Sequence, residues 1–257
     1  MFRLKKWYLD CVNETGDVVI LYWARVEWGP FRLYYGASLY SSQSKESVHR
    51  HTFRPGNEPI MNNKVVDWSC QGLNVSGSWS SHINEIECIL TDQTRGRIQW
   101  NCISPSAGAK VCVDGDTIEG LGYVEYLTMT LKPWQLPFDE LRWGRFLAPK
   151  DSLIWIQWGG HVSRTWGWLN GIEQKQINVA ENRVELSEDG TVLDLRNNRV
   201  IRSGSLSTTA LRSIRALNAL IPGWGSARET KWVGRGTLSR PNEIVSGWAI
   251  HEVVRWP

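Results

Sequence analysis

Val18-Val19-Ile20-Leu21-Tyr22-Trp23-Ala24-Arg25-Val26 is the stretch that decides the fold, because it reads as one long strand with Gly16-Asp17 turning the chain into it. The next segment alternates in the same way through Phe31, Leu33, Tyr35, Ala37 and Leu39. A period of two sends alternate side chains to opposite faces of a strand, and most of the chain keeps that period. Further on, residues 97–103 and 110–113 read as the arms of a hairpin looped through Ser104-Pro105-Ser106-Ala107-Gly108-Ala109, with the second arm closing toward Asp114-Gly115. The second half has the same style. Residues 152–158, 183–186, 191–195 and 199–206 read as strands, with turns at Glu188-Asp189-Gly190 and at Asn197-Asn198. Short strands at this spacing imply barrels or sandwiches. One helix interrupts them, over residues 208–221, where Leu211, Ile214 and Leu217 recur at three, Ser207 or Thr208 can cap the start, and Pro222-Gly223 ends it. The fold expected is mainly β, two antiparallel barrel or sandwich halves with a single helix in the second.

Bulk composition narrows the function classes. The 257 residues are 42% hydrophobic and 21% charged, which suits a packed globular core. A surplus of three positive charges, nowhere concentrated in a run, lacks the electrostatic footprint of nucleic-acid binding. No stretch has the uninterrupted apolar length of a spanning helix, and the charged start Met1 to Asp10 has no apolar run behind it, so a soluble, unsecreted, cytoplasmic protein is expected. The five cysteines, Cys11, Cys70, Cys88, Cys102 and Cys112, are odd in number and show no C-x-x-C spacing. They read as free thiols, although Cys102 and Cys112 would face each other across the hairpin above.

Two echoes suggest duplication. Trp28-Gly29-Pro30-Phe31 returns as Trp143-Gly144-Arg145-Phe146, and Gly122-Tyr123-Val124-Glu125-Tyr126 returns as Gly247-Trp248-Ala249-Ile250-His251-Glu252. Between the copies, Pro133 and Pro137 favour an extended crossover. The expected layout is an N-terminal half over 1–130, a crossover over 131–138 and a C-terminal half over 139–257. With Gly120-Leu121-Gly122-Tyr123-Val124-Glu125, the break at Pro133-Trp134 and the closing strand with His251-Glu252, the chain resembles the two-domain lipocalin-like family that includes hydroxyneurosporene synthase (carotenoid hydratase) and lipocalin-like cyclases such as Diels–Alderases. That resemblance implies lipocalin-like barrels and a cofactor-independent isomerase, cyclase or hydratase acting on an apolar polyene- or polyketide-like molecule. No complete hydratase signature accompanies it.

Sixteen tryptophans must fill cores, line a cavity, or do both. Trp155, Trp158, Trp166 and Trp168, joined by Trp143, Trp248 and His251, form the expected wall for an apolar ligand. Catalysis without a cofactor needs a shaped pocket and one acid. Glu125, set among Tyr123, Tyr126 and Leu127 where desolvation would raise its pKa, is the candidate acid; the competing reading is a solvent-facing carboxylate or a partner of Arg142. Tyr123 could donate to a substrate carbonyl, and His161, after Gly159-Gly160 and beside the tryptophans, is a third catalytic candidate. His49 and His51 with His82 would make a three-histidine site, yet their polar surroundings read as a loop, and no metal is expected. There is no nucleophile elbow, P-loop or dinucleotide fingerprint, so no nucleotide or flavin cofactor is expected either. Two rival readings remain, a non-catalytic carrier of a hydrophobic ligand and a carbohydrate-binding module; the oligomeric state is open.

Overall fold

The computed structural model describes residues 1–43, 46–205 and 227–257, so the helix expected over 208–221 lies outside the described residues. The chain divides into two compact units, Met1–Lys132 and Pro133–Pro257. The first holds β1 (Phe2–Val12), β2 (Val18–Trp28), β3 (Phe31–Ser41), β4 (Val48–Thr52), β5 (Ile60–Asn62), β6 (Val65–Cys70), β7 (Val75–Ser81), β8 (Ile86–Gln93), β9 (Gly96–Val113) and β10 (Asp116–Met129). The second holds β11 (Glu140–Leu147), β12 (Ser152–Gly159), β13 (Arg164–Leu169), β14 (Ile172–Glu173), β15 (Ile177–Val179), β16 (Arg183–Leu186), β17 (Thr191–Ser205), β18 (Arg228–Arg240) and β19 (Glu243–Arg255). Among the described residues the only helical pieces are two single 3-10 turns, and no helix is long and apolar enough to cross a membrane.

Each unit is one antiparallel sheet, and the two run in the same order: β4-β3-β2-β1-β10-β9-β7-β6-β5 and β14-β13-β12-β11-β19-β18-β17-β16-β15. In each, the last strand returns to pair with the first, β10 with β1 and β19 with β11. The second sequence echo therefore falls on equivalent strands. The first does not: Trp28-Gly29-Pro30-Phe31 makes the β2–β3 turn, whereas Trp143-Gly144-Arg145-Phe146 runs through the middle of β11.

Alternation is obeyed where it matters. The inner face of the N-terminal sheet gathers Trp7, Leu9 and Cys11 of β1, Val19, Leu21 and Trp23 of β2, Val66 and Trp68 of β6 and Trp79 of β7 into one core. Strands several places apart in the sheet share this core because the sheet curls around it. In the C-terminal unit Phe146, Leu153, Trp155, Leu193, Leu238 and Ala249 do the same.

Two expected turns are strand interiors. β9 is continuous through Ser104 to Ala109, so Cys102 and Cys112 lie along one strand, and both are free thiols. Pro105 is accommodated because β9 pairs with β8 up to Cys102 and with β7 from Ala107 onward, and the proline falls between the two ladders, where β9 itself bulges against β10. Likewise Asn197-Asn198 is a bulge inside β17, with Asn197 at φ 52°, and pairing with β18 resumes at Arg199. The Asp114-Gly115 turn does close β9 onto β10, with φ of 55° and 93°, the left-handed pair that a two-residue hairpin demands. His49 and His51, read as loop residues, sit on β4.

Candidate active site

Glu125 and Tyr123 share one face of β10, while on the opposite face Val124 enters the inner core and Tyr126 packs against it. Register then sets their neighbours. Tyr22, Tyr8, Glu125 and Cys102 line up directly across β2, β1, β10 and β9, and Ile20, Asp10 and Tyr123 form the adjacent row. This face, opposite the inner core, is itself buried: Glu125 is 5% exposed, Tyr123 and Asp10 not at all. The Trp100 indole N–H and the Tyr123 hydroxyl both donate to Oε2 of Glu125, at 2.7 and 2.8 Å. Tyr8 meets the Tyr123 ring edge-on at 6.0 Å and Tyr22 at 5.4 Å.

Burial pushes the Tyr123 phenol well above its ordinary pKa, and the neighbouring Cys102 and Glu125 push it further. Cys102 is raised in the same way, chiefly by burial. Tyr123 therefore donates to Glu125 as a neutral phenol near pH 7, beside the Trp100 indole, which does not titrate there. Arg142, the alternative partner suggested by the sequence, is engaged with Glu140 at 2.6 Å. The arrangement is a carboxyl withdrawn from water, positioned by two rigid aromatic donors, with a second buried carboxyl, Asp10, on the same face. It is equipped to move a proton in a low-dielectric setting.

The tryptophan wall divides between the two faces of the C-terminal sheet. Trp143, Trp158, Trp166, Trp168 and Trp248 share one face. There Trp158 stacks on Phe138 at 4.5 Å and meets Trp166 edge-on at 4.9 Å. A cross-strand row on this face reads Trp166, Ile156, Trp143, Glu252, Lys231, Arg202. Lys231 is fully buried, ion-paired with Glu252, 3.9 Å from Glu229, and 5.3 Å from the Trp143 ring centre; Glu229 in turn pairs with Arg202. Trp155 and His251 lie on the other face. Trp155 covers Gly144, where any Cβ would collide with its ring, and Gly144 sits directly across from His251. On its far side His251 stacks on Trp232 at 4.9 Å, with its Nε2 buried and unpartnered among the described residues. Burial, with help from Lys231, lowers its pKa to about 4, so the imidazole is neutral.

His161 does not join these rings. It is 89% exposed, 3.8 Å from Asp139, in the turn that Gly160 opens with φ 102°. Among the described residues no group of three His, Cys, Asp or Glu side chains comes together as a metal site. Asp10, Trp100, Cys102, Lys231 and Glu229 were not found from the sequence. The alternation of Glu229, Lys231 and Val233 was the available signal, since it places two charges on one face with an apolar residue.

No family model and no curated protein matches the sequence. Solved structures do match its fold. CghA aligns over 99% of this chain and 88% of its own with a TM-score of 0.63 at 12% identity, and CghA with Sch210972 gives 0.60 at 11% over the same shares. Kievitone hydratase from Nectria haematococca aligns over 98% of this chain and 88% of its own, with a TM-score of 0.55 at 9% identity. The lipocalin-like fold that the resemblance implied is the fold of this chain.

Proposed function

We propose that the chain is a cofactor-independent isomerase or cyclase, or a hydratase, that acts on an apolar polyene- or polyketide-like small molecule with Glu125 as its acid. The observation that carries this reading is the buried carboxyl whose Oε2 accepts from Trp100 and Tyr123. Such a group can protonate a double bond or polarise a carbonyl, and Tyr123 holds it in one rotamer. The fold shared with kievitone hydratase and CghA supports the class of chemistry without naming a substrate. Incubating the full chain with candidate polyenes and following the product by mass tests the reading. Glu125→Gln, which keeps shape and removes the acid, is expected to lower turnover by roughly 100-fold or more, and Tyr123→Phe by less. Unchanged turnover in Glu125→Gln would exclude Glu125 as the acid.

A second reading, a carrier, is favoured by the aromatic face of Trp143, Trp158, Trp166, Trp168 and Trp248. Binding of an apolar ligand quenches indole emission without product forming, which separates the two. The sugar-binding reading loses its support, because stacking on sugars needs presented rings and most of these are buried.

A further inference from the structure

Three tryptophans of the N-terminal inner core turn their indole N–H groups toward one short segment. Trp7 of β1 donates to Glu58 Oε1 at 3.0 Å, Trp23 of β2 to the Gly56 carbonyl at 3.1 Å and Trp68 of β6 to the Asn57 carbonyl at 2.9 Å. The donors come from three strands, whereas all the acceptors come from residues 56–58, in a connection bracketed by Pro55 and Pro59 that belongs to no strand. Glu58 is also met by Lys5 Nζ at 3.7 Å, and the Lys5 charge lies close enough to the Tyr126 phenol to offset part of the rise in its pKa that burial causes. The Tyr126 ring packs on Trp7 at 4.8 Å. A carboxylate is therefore held by one indole N–H and one ammonium at the edge of an aromatic core, with two further indole N–H groups beside it.

A sheet presents fixed side chains, while a connection without ladder bonds is held only by what its residues touch. Here the rigid partner supplies every donor and the loop every acceptor. We propose that this part of the N-terminal unit is a binding site for an apolar carboxylic acid, and that Glu58 and its loop occupy the site as an intramolecular stand-in that such an acid displaces. The incoming carboxylate would take over the Trp7 and Lys5 contacts, and its apolar body would lie against Trp23, Trp68 and Tyr126. Glu125 faces away from this core, on the other side of β10, so the site is independent of the proposed acid.

The test uses the full chain and 2-naphthoate, with the neutral 2-naphthamide as control, followed at the indole N–H resonances of Trp7, Trp23 and Trp68 in proton–nitrogen correlation spectra. Glu58→Gln keeps the volume of the side chain but removes the competing charge, and is expected to bind 2-naphthoate about ten-fold tighter than wild type. Lys5→Met added to Glu58→Gln is expected to abolish the gain, and 2-naphthamide to show none. Equal affinity of Glu58→Gln and wild type, equal binding of the amide, or shifts confined to other tryptophans would each overturn the proposal. Were Glu58→Gln to unfold, wild type titrated to the solubility limit of the ligand decides: shifts at the three indoles support displacement, and their absence refutes it.

Discussion

His251 takes its imidazole into a place where charge is disfavoured. Its pKa in the folded chain is about 4, depressed by burial and by Lys231, against an ordinary value of 6.5. The sign follows from linkage: below pH 6.5 the unfolded chain takes up a proton that the folded chain refuses until about pH 4. The stability this residue contributes is therefore complete above pH 6.5 and drains away between 6.5 and 4, by about 3 kcal/mol. Denaturant titrations of wild type and His251→Phe at pH 7 and pH 4 check it, since the stability gap between the two should shift by that amount in favour of the phenylalanine as pH falls. Glu125 and Tyr123 were legible as candidates because the sequence sets a carboxyl among Tyr123, Tyr126 and Leu127, where burial would desolvate it, and puts a phenol beside it. Their partner Trp100 was not, for it arrives from another strand through a register that no local pattern encodes.

At the scale of elements, Gly144 shows why a glycine can sit inside β11. The Trp155 ring of β12 lies over its Cα, and Gly144→Val is expected to cost about 1–3 kcal/mol by overpacking, read as a lower urea midpoint. Local sequence misled in two places where a strand bends. Ser104 to Ala109 and Asn197-Asn198 carry turn residues, but turn residues also serve bulges. Whether such a segment reverses the chain depends on what flanks it, and here β7 and β8 take successive stretches of β9 while β18 runs on beside β17. The lysines and arginine of β1 also hid a strand at the centre of its sheet.

For the whole molecule, burial divides the five thiols. Cys11, Cys70 and Cys102 are buried, and Cys88 and Cys112 are partly exposed. Alkylation of the native chain with iodoacetamide, followed by mass spectrometry, should label the second pair quickly and the other three only after unfolding, with all five modified and no disulfide left over. Strand periodicity, repeated over two halves, was enough to establish a mainly β chain, because hydrophobic alternation is a local property that burial of one sheet face imposes on every strand. The assignment of indoles to faces, the buried Lys231 among glutamates and the convergence of Trp7, Trp23 and Trp68 on residues 56–58 were decided only by tertiary structure. Those contacts join residues tens of positions apart, and their geometry depends on cross-strand register and sheet curl, which a one-dimensional pattern does not carry.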